Sequence, residues 1–184
     1  MTAARDALLI HAMDVTGMPV VTLGGDAVAQ VRDVLFDRTG NVRGFTLAGR
    51  GLFSGPMAEW LPWAGVHGFG PDAIIVADVE ALTREGRDPV DGDVVGDEVL
   101  TRSGTVVGTV TDAVLRLEPE VLDVVGYEVE PSDGGEPRFI PLPDTLSVTG
   151  GRLVVPDEAM EFLARDLSGF GASVDTFRER LRGA

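Results

Sequence analysis

The chain consists of short stretches in which hydrophobic and polar residues alternate, separated by turns rich in glycine. In its first half, the stretches that favour β-strands are residues 20–23, 27–37, 42–47, 60–62 and 74–76. The pair Gly24–Gly25 follows the first stretch and supplies the positive φ angles that a tight hairpin turn requires. Short alternating strands with turns about every 8 to 12 residues are typical of a small antiparallel barrel. The pattern therefore predicts a mainly β fold.

The same pattern recurs 79 residues further along the chain. This offset relates residues 21–35 to residues 100–114, and residues 74–78 to residues 153–157. Six positions mark the repeat, in the pairs Asp33 with Asp112, Trp60 with Phe139, and Pro62 with Pro141. A constant offset across separated blocks indicates a duplicated structural unit. A pair of similar β units is more typical of a binding scaffold than of an active site.

Changes in composition divide the chain into four segments. We place the first barrel repeat at residues 13–79 and the second at residues 94–156. A charged stretch that contains glycine and proline, residues 80–93, is the predicted linker between them. The remaining segment, residues 157–184, has a different hydrophobic period.

This C-terminal segment has the period of an amphipathic helix rather than that of a strand. Asp157 is a candidate N-cap for a first helix, which Gly169 and Gly171 end, and Ser173 is a candidate cap for a second. The apolar residues that recur at helical spacing are Met160, Leu163, Ala164, Leu167, Val174, Phe177 and Leu181. We expect two short helices that pack on the second barrel rather than extend to bind a partner.

Composition narrows the range of functions. Hydrophobic residues make up 44% of the 184 residues, which is sufficient for packed cores. All 15 basic residues are arginines and cysteine is absent, so chemistry that needs a lysine amine or a cysteine thiolate is excluded. The formal net charge of −15 disfavours nucleic acid as a partner, because nucleic-acid binding depends on neutralising phosphates with basic side chains.

The sequence gives no sign of membrane insertion or secretion. No apolar stretch reaches the length of about 18 residues that a membrane-spanning helix needs. Residues 1–10 combine a short apolar run with an early acidic residue, Asp6, and lack the basic region of a signal peptide. We therefore expect a cytoplasmic protein without an integral membrane segment.

Three segments of each repeat carry a family resemblance: a strand with a central aspartate, a glycine–aromatic pair, and an aromatic–aliphatic–proline segment. They are residues 29–35, 44–45 and 60–62 in the first repeat, and residues 108–114, 126–127 and 139–141 in the second. Each repeat thereby resembles a PRC-barrel domain, the β-barrel found in the H subunit of the photosynthetic reaction centre and in the ribosome-maturation factor RimM. The chain is most similar to the tandem form that occurs in bacteria, since RimM has a different N-terminal barrel and the H subunit has a membrane helix. The resemblance implies two tandem antiparallel PRC-type β-barrels that serve protein–protein interaction, with no shared catalytic residues.

Two aspartates and two histidines are candidates for chemistry. Asp33 and Asp112 could bind a metal or transfer protons, but equivalent positions in separate barrels favour a structural role. We expect each carboxylate to accept backbone N–H groups of a neighbouring turn. His11 and His67 are too few for a three-histidine zinc site and belong to no HExxH motif. We assign them structural or surface roles and expect no catalytic, cofactor or metal site.

An acidic cluster lies at the end of the predicted linker and the start of the second repeat. It contains Asp91, Asp93, Asp97 and Glu98. The spacing does not match the calcium-binding loop of an EF-hand. We interpret it as a solvated acidic segment and leave weak cation binding open.

The glycine-rich loop at residues 49–55 offers the candidate surface for a partner. Its glycine spacing differs from the dinucleotide-binding fingerprint, and it lies between strands rather than before a helix. Leu52, Phe53 and Met57 either fold back over the end of the barrel or form an exposed anchor, since aromatic and methionine side chains are common at interfaces.

The sequence thus predicts a non-enzymatic adaptor or scaffold that binds another protein. The candidate surfaces are strand edges, the 49–59 loop and the C-terminal helices. Two alternatives stay open: a ribosome-maturation factor similar to RimM, and a small-ligand-binding protein or carboxylate enzyme with its site in a cleft between the barrels. We also expect a monomer or a symmetric homodimer, with the dimer favoured.

Overall fold

The computed structural model describes residues 8–37, 41–51, 54–88, 94–118, 121–144, 147–149 and 151–183. The chain divides into two compact units. The N-terminal unit comprises Ala12–Asp37 and Val42–Asp93, and the C-terminal unit comprises Met1–His11, Arg38–Asn41 and Val94–Ala184.

The N-terminal unit contains a six-stranded sheet. The described part of the chain begins with strand β1 (Leu8–His11), which belongs to the C-terminal unit, and the short helix α1 (Ala12–Val15) follows. The strands of the N-terminal sheet are β2 (Pro19–Thr22), β3 (Ala27–Phe36), β4 (Val42–Ala48), β5 (Pro56–Pro62), β6 (Val66–Phe69) and β7 (Ile74–Val76). The spatial order is β5-β4-β3-β2-β7-β6. Strands β2 and β7 pair in parallel, and the other neighbours pair antiparallel. Gly25, with a φ of 91°, lies in the predicted turn between β2 and β3.

The C-terminal unit repeats this arrangement. Its strands are β8 (Glu98–Thr101), β9 (Val106–Glu118), β10 (Val121–Pro131), β11 (Arg138–Pro141), β12 (Ser147–Thr149) and β13 (Arg152–Val155). Their order, β11-β10-β9-β8-β13-β12, matches the N-terminal order strand for strand, and β8 and β13 are the parallel pair. This correspondence confirms the predicted fold class of two tandem, mainly β units.

The sequence analysis missed strand β1, and it also missed the short strands β6 and β12. Strand β1 pairs antiparallel with β9, from Leu8 opposite Leu117 to His11 opposite Val114, and is the seventh strand of the C-terminal sheet. The prediction began the first repeat at residue 13 and gave the preceding residues no structure. A four-residue strand whose partner lies about a hundred residues away leaves no local pattern in the sequence.

Because hydrophobic and polar residues alternate along the strands, the strands have a buried face and an exposed face. On β13, Leu153 and Val155 are buried whereas Arg152 and Val154 are exposed. The largest fully buried side chains include Phe45, Leu47, Leu61 and Ile74 in the N-terminal unit, and Leu115, Tyr127, Ile140 and Leu153 in the C-terminal unit. Each unit therefore has its own apolar core.

The glycine of each glycine–aromatic pair is explained by the close approach of the neighbouring strand. Gly44 lies opposite Pro62, and Gly126 lies opposite Pro141. A Cβ atom at Gly44 would lie 2.2 Å from the backbone oxygen of Leu61. One at Gly126 would lie 2.6 Å from the backbone oxygen of Ile140 and 2.3 Å from the Phe170 ring. Only glycine fits these positions without displacing backbone.

We predict that Gly44→Ala lowers the free energy of unfolding of the N-terminal unit by about 1–3 kcal/mol or more, because the backbone of β5 has to move. Both tryptophans, Trp60 and Trp63, lie in this unit, so their fluorescence during urea denaturation measures its stability. The matched control is Gly68→Ala, where the nearest atom to a new Cβ is 3.6 Å away. Equal midpoints for the two variants would contradict the close approach.

The predicted linker at residues 80–93 is in part a component of the N-terminal unit. A 3₁₀ helix, Val79–Ala81, leads to Thr83, which exchanges backbone hydrogen bonds of 2.8 and 3.0 Å with Trp60. The Trp60 indole N–H donates to the Glu85 backbone oxygen at 2.9 Å. Arg84 donates to Glu59 at 2.6 Å, and this hydrogen bond lowers the pKa of Glu59 below its ordinary value. Residues 89–93 lie outside the described part of the chain.

The C-terminal segment also differs from its prediction. Residues Asp157–Phe162 form a 3₁₀ helix rather than an α-helix, and Ala164 then pairs with Phe139, as Thr83 pairs with Trp60. The α-helix α2 spans Phe170–Gly183 and begins three residues before the predicted cap, Ser173. Asp157 caps neither helix, because its carboxylate accepts hydrogen bonds from Ser103.

Helix α2 packs on the sheet of the C-terminal unit. Its residues Phe170 and Val174 share a core cluster with Val114, Val125 and Phe139. Among the described residues, no helix has both the length and the apolar character needed to cross a membrane.

Candidate functional site

A groove of about 270 Å³ opens on the C-terminal unit. Its apolar wall is formed by the start of β9, the end of β10, the 3₁₀ helix Asp157–Phe162 and the residue that follows this helix. The apolar lining residues are Val106, Val129, Pro131, Met160 and Leu163. Asp133 and Arg138 add one charge of each sign to the lining. Val106 and Met160 are 45% and 38% exposed, respectively. The groove therefore presents apolar side chains that the fold leaves in contact with solvent.

Two local structures hold the walls of the groove in place. In the turn after β10, the Gly134 N–H donates to the Pro131 oxygen at 3.1 Å, and the Gly135 N–H donates to the Asp133 carboxylate at 3.1 Å. The 3₁₀ helix that carries Met160 starts at Asp157, whose carboxylate accepts hydrogen bonds from Ser103. The hydrogen bond from the Ser103 hydroxyl lowers the pKa of Asp157 below its ordinary value.

The partner surface predicted from the 49–59 loop is only partly described. Leu52 and Phe53 lie outside the described residues. Met57 lies on β5 of the N-terminal unit and is half-buried. Of the three residues of this predicted surface, the structure therefore describes only Met57. The sequence analysis missed the groove on the C-terminal unit, although the apolar pair Val106–Val107 at the start of β9 belongs to its lining.

The two aspartates at equivalent repeat positions have different surroundings. Asp33 is largely exposed, and its carboxylate accepts a hydrogen bond from the Thr46 hydroxyl at 3.3 Å rather than from a turn N–H. The Asp112 side chain is buried, and its Oδ1 atom accepts the Ala113 N–H at 2.8 Å. The residue opposite each aspartate differs, because Thr46 lies opposite Asp33 whereas Glu128 lies opposite Asp112.

Asp112 belongs to a three-residue cluster on the C-terminal unit. The Nδ1 atom of His11, at the end of β1, lies 3.1 Å from Asp112 Oδ2 and 3.8 Å from Glu128 Oε2. Ligand atoms of all three side chains lie within 4.8 Å of one another. The Phe139 ring flanks the imidazole, with 5.7 Å between ring centroids. Sequence reasoning missed this cluster, because nothing local in the sequence links β1 to β9.

The other candidates do not join this cluster. His67 is exposed on β6 of the N-terminal unit. Glu98 pairs with Arg152 at 3.2 Å, and in the described part of the chain no group of three ligating side chains includes Asp97 or Glu98. Asp91 and Asp93 lie outside the described residues.

Comparison with known families accounts for the repeated strand order. The sequence model of the PRC-barrel domain matches the chain twice, at residues 9–82 and 91–159. The chain belongs to the PRC-barrel family. The first match extends through the 3₁₀ helix Val79–Ala81, and the second ends inside the 3₁₀ helix Asp157–Phe162. A search of curated proteins finds no match.

Proposed function

We propose that this tandem PRC-barrel protein is a non-enzymatic adaptor that binds another protein in the groove of its C-terminal barrel. The observation that carries the proposal is the exposure of Val106 and Met160 in a groove with firmly held walls. Exposed apolar side chains in a concave surface are typical of a site where a partner inserts an apolar anchor.

The size and charge of the groove indicate what kind of partner segment it accepts. A volume of about 270 Å³ suits one or two apolar side chains rather than a folded domain. The net charge of −15 favours a segment with basic residues on either side of the apolar anchor, because complementary charges accelerate association and exclude acidic competitors.

Three features of the sequence support a binding role over catalysis. The absence of lysine and cysteine removes the most nucleophilic side chains that enzymes use. The PRC-barrel family resemblance brings no shared catalytic residues with it. A duplicated small barrel also provides two similar modules on one chain, an arrangement that suits a scaffold.

The test is affinity capture with crosslinking from host cells, followed by binding measurements with the purified partner. We expect a reproducible partner whose affinity falls at least about tenfold in Met160→Glu, because a buried carboxylate in the groove is not solvated. Leu23→Glu is the matched control, since Leu23 is an apolar residue that is 60% exposed on the N-terminal barrel. Capture of nothing above background, or equal affinity for both variants, would contradict the proposal.

A further inference from the structure

The cluster of His11, Asp112 and Glu128 offers three ligand atoms of two chemical kinds. One is an imidazole nitrogen and two are carboxylate oxygens. Zn²⁺ binds both kinds, whereas Ca²⁺ and Mg²⁺ take oxygen ligands. The donor set therefore favours a zinc-like divalent cation over a hard one.

The distances also suit such an ion. Zn²⁺ lies about 2.0–2.2 Å from nitrogen and oxygen ligands, which places two ligands of a tetrahedral site about 3.4 Å apart. The observed separations from His11 Nδ1 are 3.1 Å to Asp112 and 3.8 Å to Glu128, and all three atoms lie within 4.8 Å. A small movement of Glu128, whose side chain is 26% exposed, brings its oxygen to the ligand distance.

The surroundings hold His11 and Asp112 in place before any ion arrives, and the strand register brings Glu128 beside them. Asp112 is 5% exposed at its side chain, and the Ala113 N–H fixes its second oxygen. Glu128 lies directly opposite Asp112 in the β9–β10 register, and the Phe139 ring restricts the imidazole of His11. Ligands held in place in this way lose little conformational entropy on binding an ion.

We propose that His11, Asp112 and Glu128 form a binding site for a zinc-class divalent cation on the C-terminal barrel. Its charge offsets the two carboxylates that converge there. Because His11 lies on β1 and the other ligands on β9 and β10, the ion links the N-terminal strand to the sheet and stabilises the unit. Three protein ligands leave the fourth tetrahedral position to water or to a donor from another molecule.

The experiment is isothermal titration calorimetry of Zn²⁺ into the purified full chain without a histidine tag. We expect one ion per chain and a higher melting temperature in the presence of Zn²⁺. His11→Gln and Glu128→Gln should each weaken binding at least about tenfold. His67→Gln is the matched control and should bind as the parent does, because His67 lies on the other unit.

A second measurement on the unsubstituted chain makes the outcome independent of how the variants fold. In a two-dimensional NMR spectrum of the imidazole nitrogens, Zn²⁺ should shift the His11 signals and leave those of His67 unchanged. Absence of binding, equal shifts of both histidines, or affinity that survives in His11→Gln and Glu128→Gln would overturn the proposal. The cluster would then be a histidine–carboxylate contact that only fastens β1 to the sheet.

Discussion

Phe139→Ala is expected to lower the free energy of unfolding of the C-terminal barrel by about 3–5 kcal/mol, the usual effect of removing a buried phenylalanine ring. Phe139 is 7% exposed and belongs to the core cluster with Phe170 of α2, at 5.7 Å between ring centroids. The loss is a large share of the stability of a small domain, so much of this barrel should unfold. Thermal unfolding followed by far-ultraviolet circular dichroism measures the effect.

The positions of the aromatic residues provide an internal control for this variant. The only tyrosine, Tyr127, is buried in the C-terminal barrel, whereas both tryptophans lie in the N-terminal barrel. We expect the tyrosine signal in Phe139→Ala to change at lower temperature, with a smaller change in the tryptophan signal. A melting temperature within one or two degrees of the parent would mean that Phe139 is not equivalent to the buried Trp60.

Arg178→Met is expected to destabilise the attachment of α2 by about 2–4 kcal/mol. The buried Arg178 guanidinium donates to the backbone oxygens of Leu142 and Val124, and at 2.7 Å to the Asp123 carboxylate. In Arg178→Met these acceptors lose the guanidinium as their hydrogen-bond donor. Breaking a fully buried ion pair in this way lowers the free energy of unfolding by about 3–5 kcal/mol. The partial exposure of Asp123 reduces this effect here.

Arg182→Met is the matched control for this prediction. Arg182 lies on the same helix and pairs with Asp144, whose other oxygen lies 3.4 Å from Arg178, but Arg182 is largely exposed. Surface ion pairs contribute about 0–1 kcal/mol. Urea denaturation of both variants measures the difference in the free energy of unfolding. An equal loss of stability in Arg182→Met and Arg178→Met would contradict the larger contribution assigned to the buried hydrogen bonds of Arg178.

The sequence predicted what is encoded locally or by repetition. Period-two alternation and glycine turns located the longer strands but not β1, β6 or β12, and the constant offset paired Trp60 with Phe139. Those two residues are buried and make the same backbone pairing, with Thr83 and Ala164 respectively. The glycine–aromatic pairs were recognised as a motif, and the structure gives their physical reason in the close approach of Leu61 and Ile140.

What the sequence could not predict depends on contacts between distant residues. Strand β1 and the cluster around His11 need a partner strand about a hundred residues away. The helical spacing in the segment Asp157–Phe162 does not distinguish an α-helix from a 3₁₀ helix, because apolar residues three apart suit both. The 3₁₀ form arises where the chain must return to pair Ala164 with Phe139.

Methionine methyl NMR tests most directly the proposal that a partner protein occupies the groove of the C-terminal barrel. The five methionines report separately on the chain: Met160 lies in the groove, Met57 on β5, and the others are Met1, Met13 and Met18. Addition of the purified partner to protein with ¹³C-labelled methionine methyl groups should shift or broaden the Met160 signal most strongly. A Met160 signal that stays unchanged while the partner binds would contradict binding in the groove. A shift confined to the Met57 signal would indicate that the partner binds at the 49–59 loop instead.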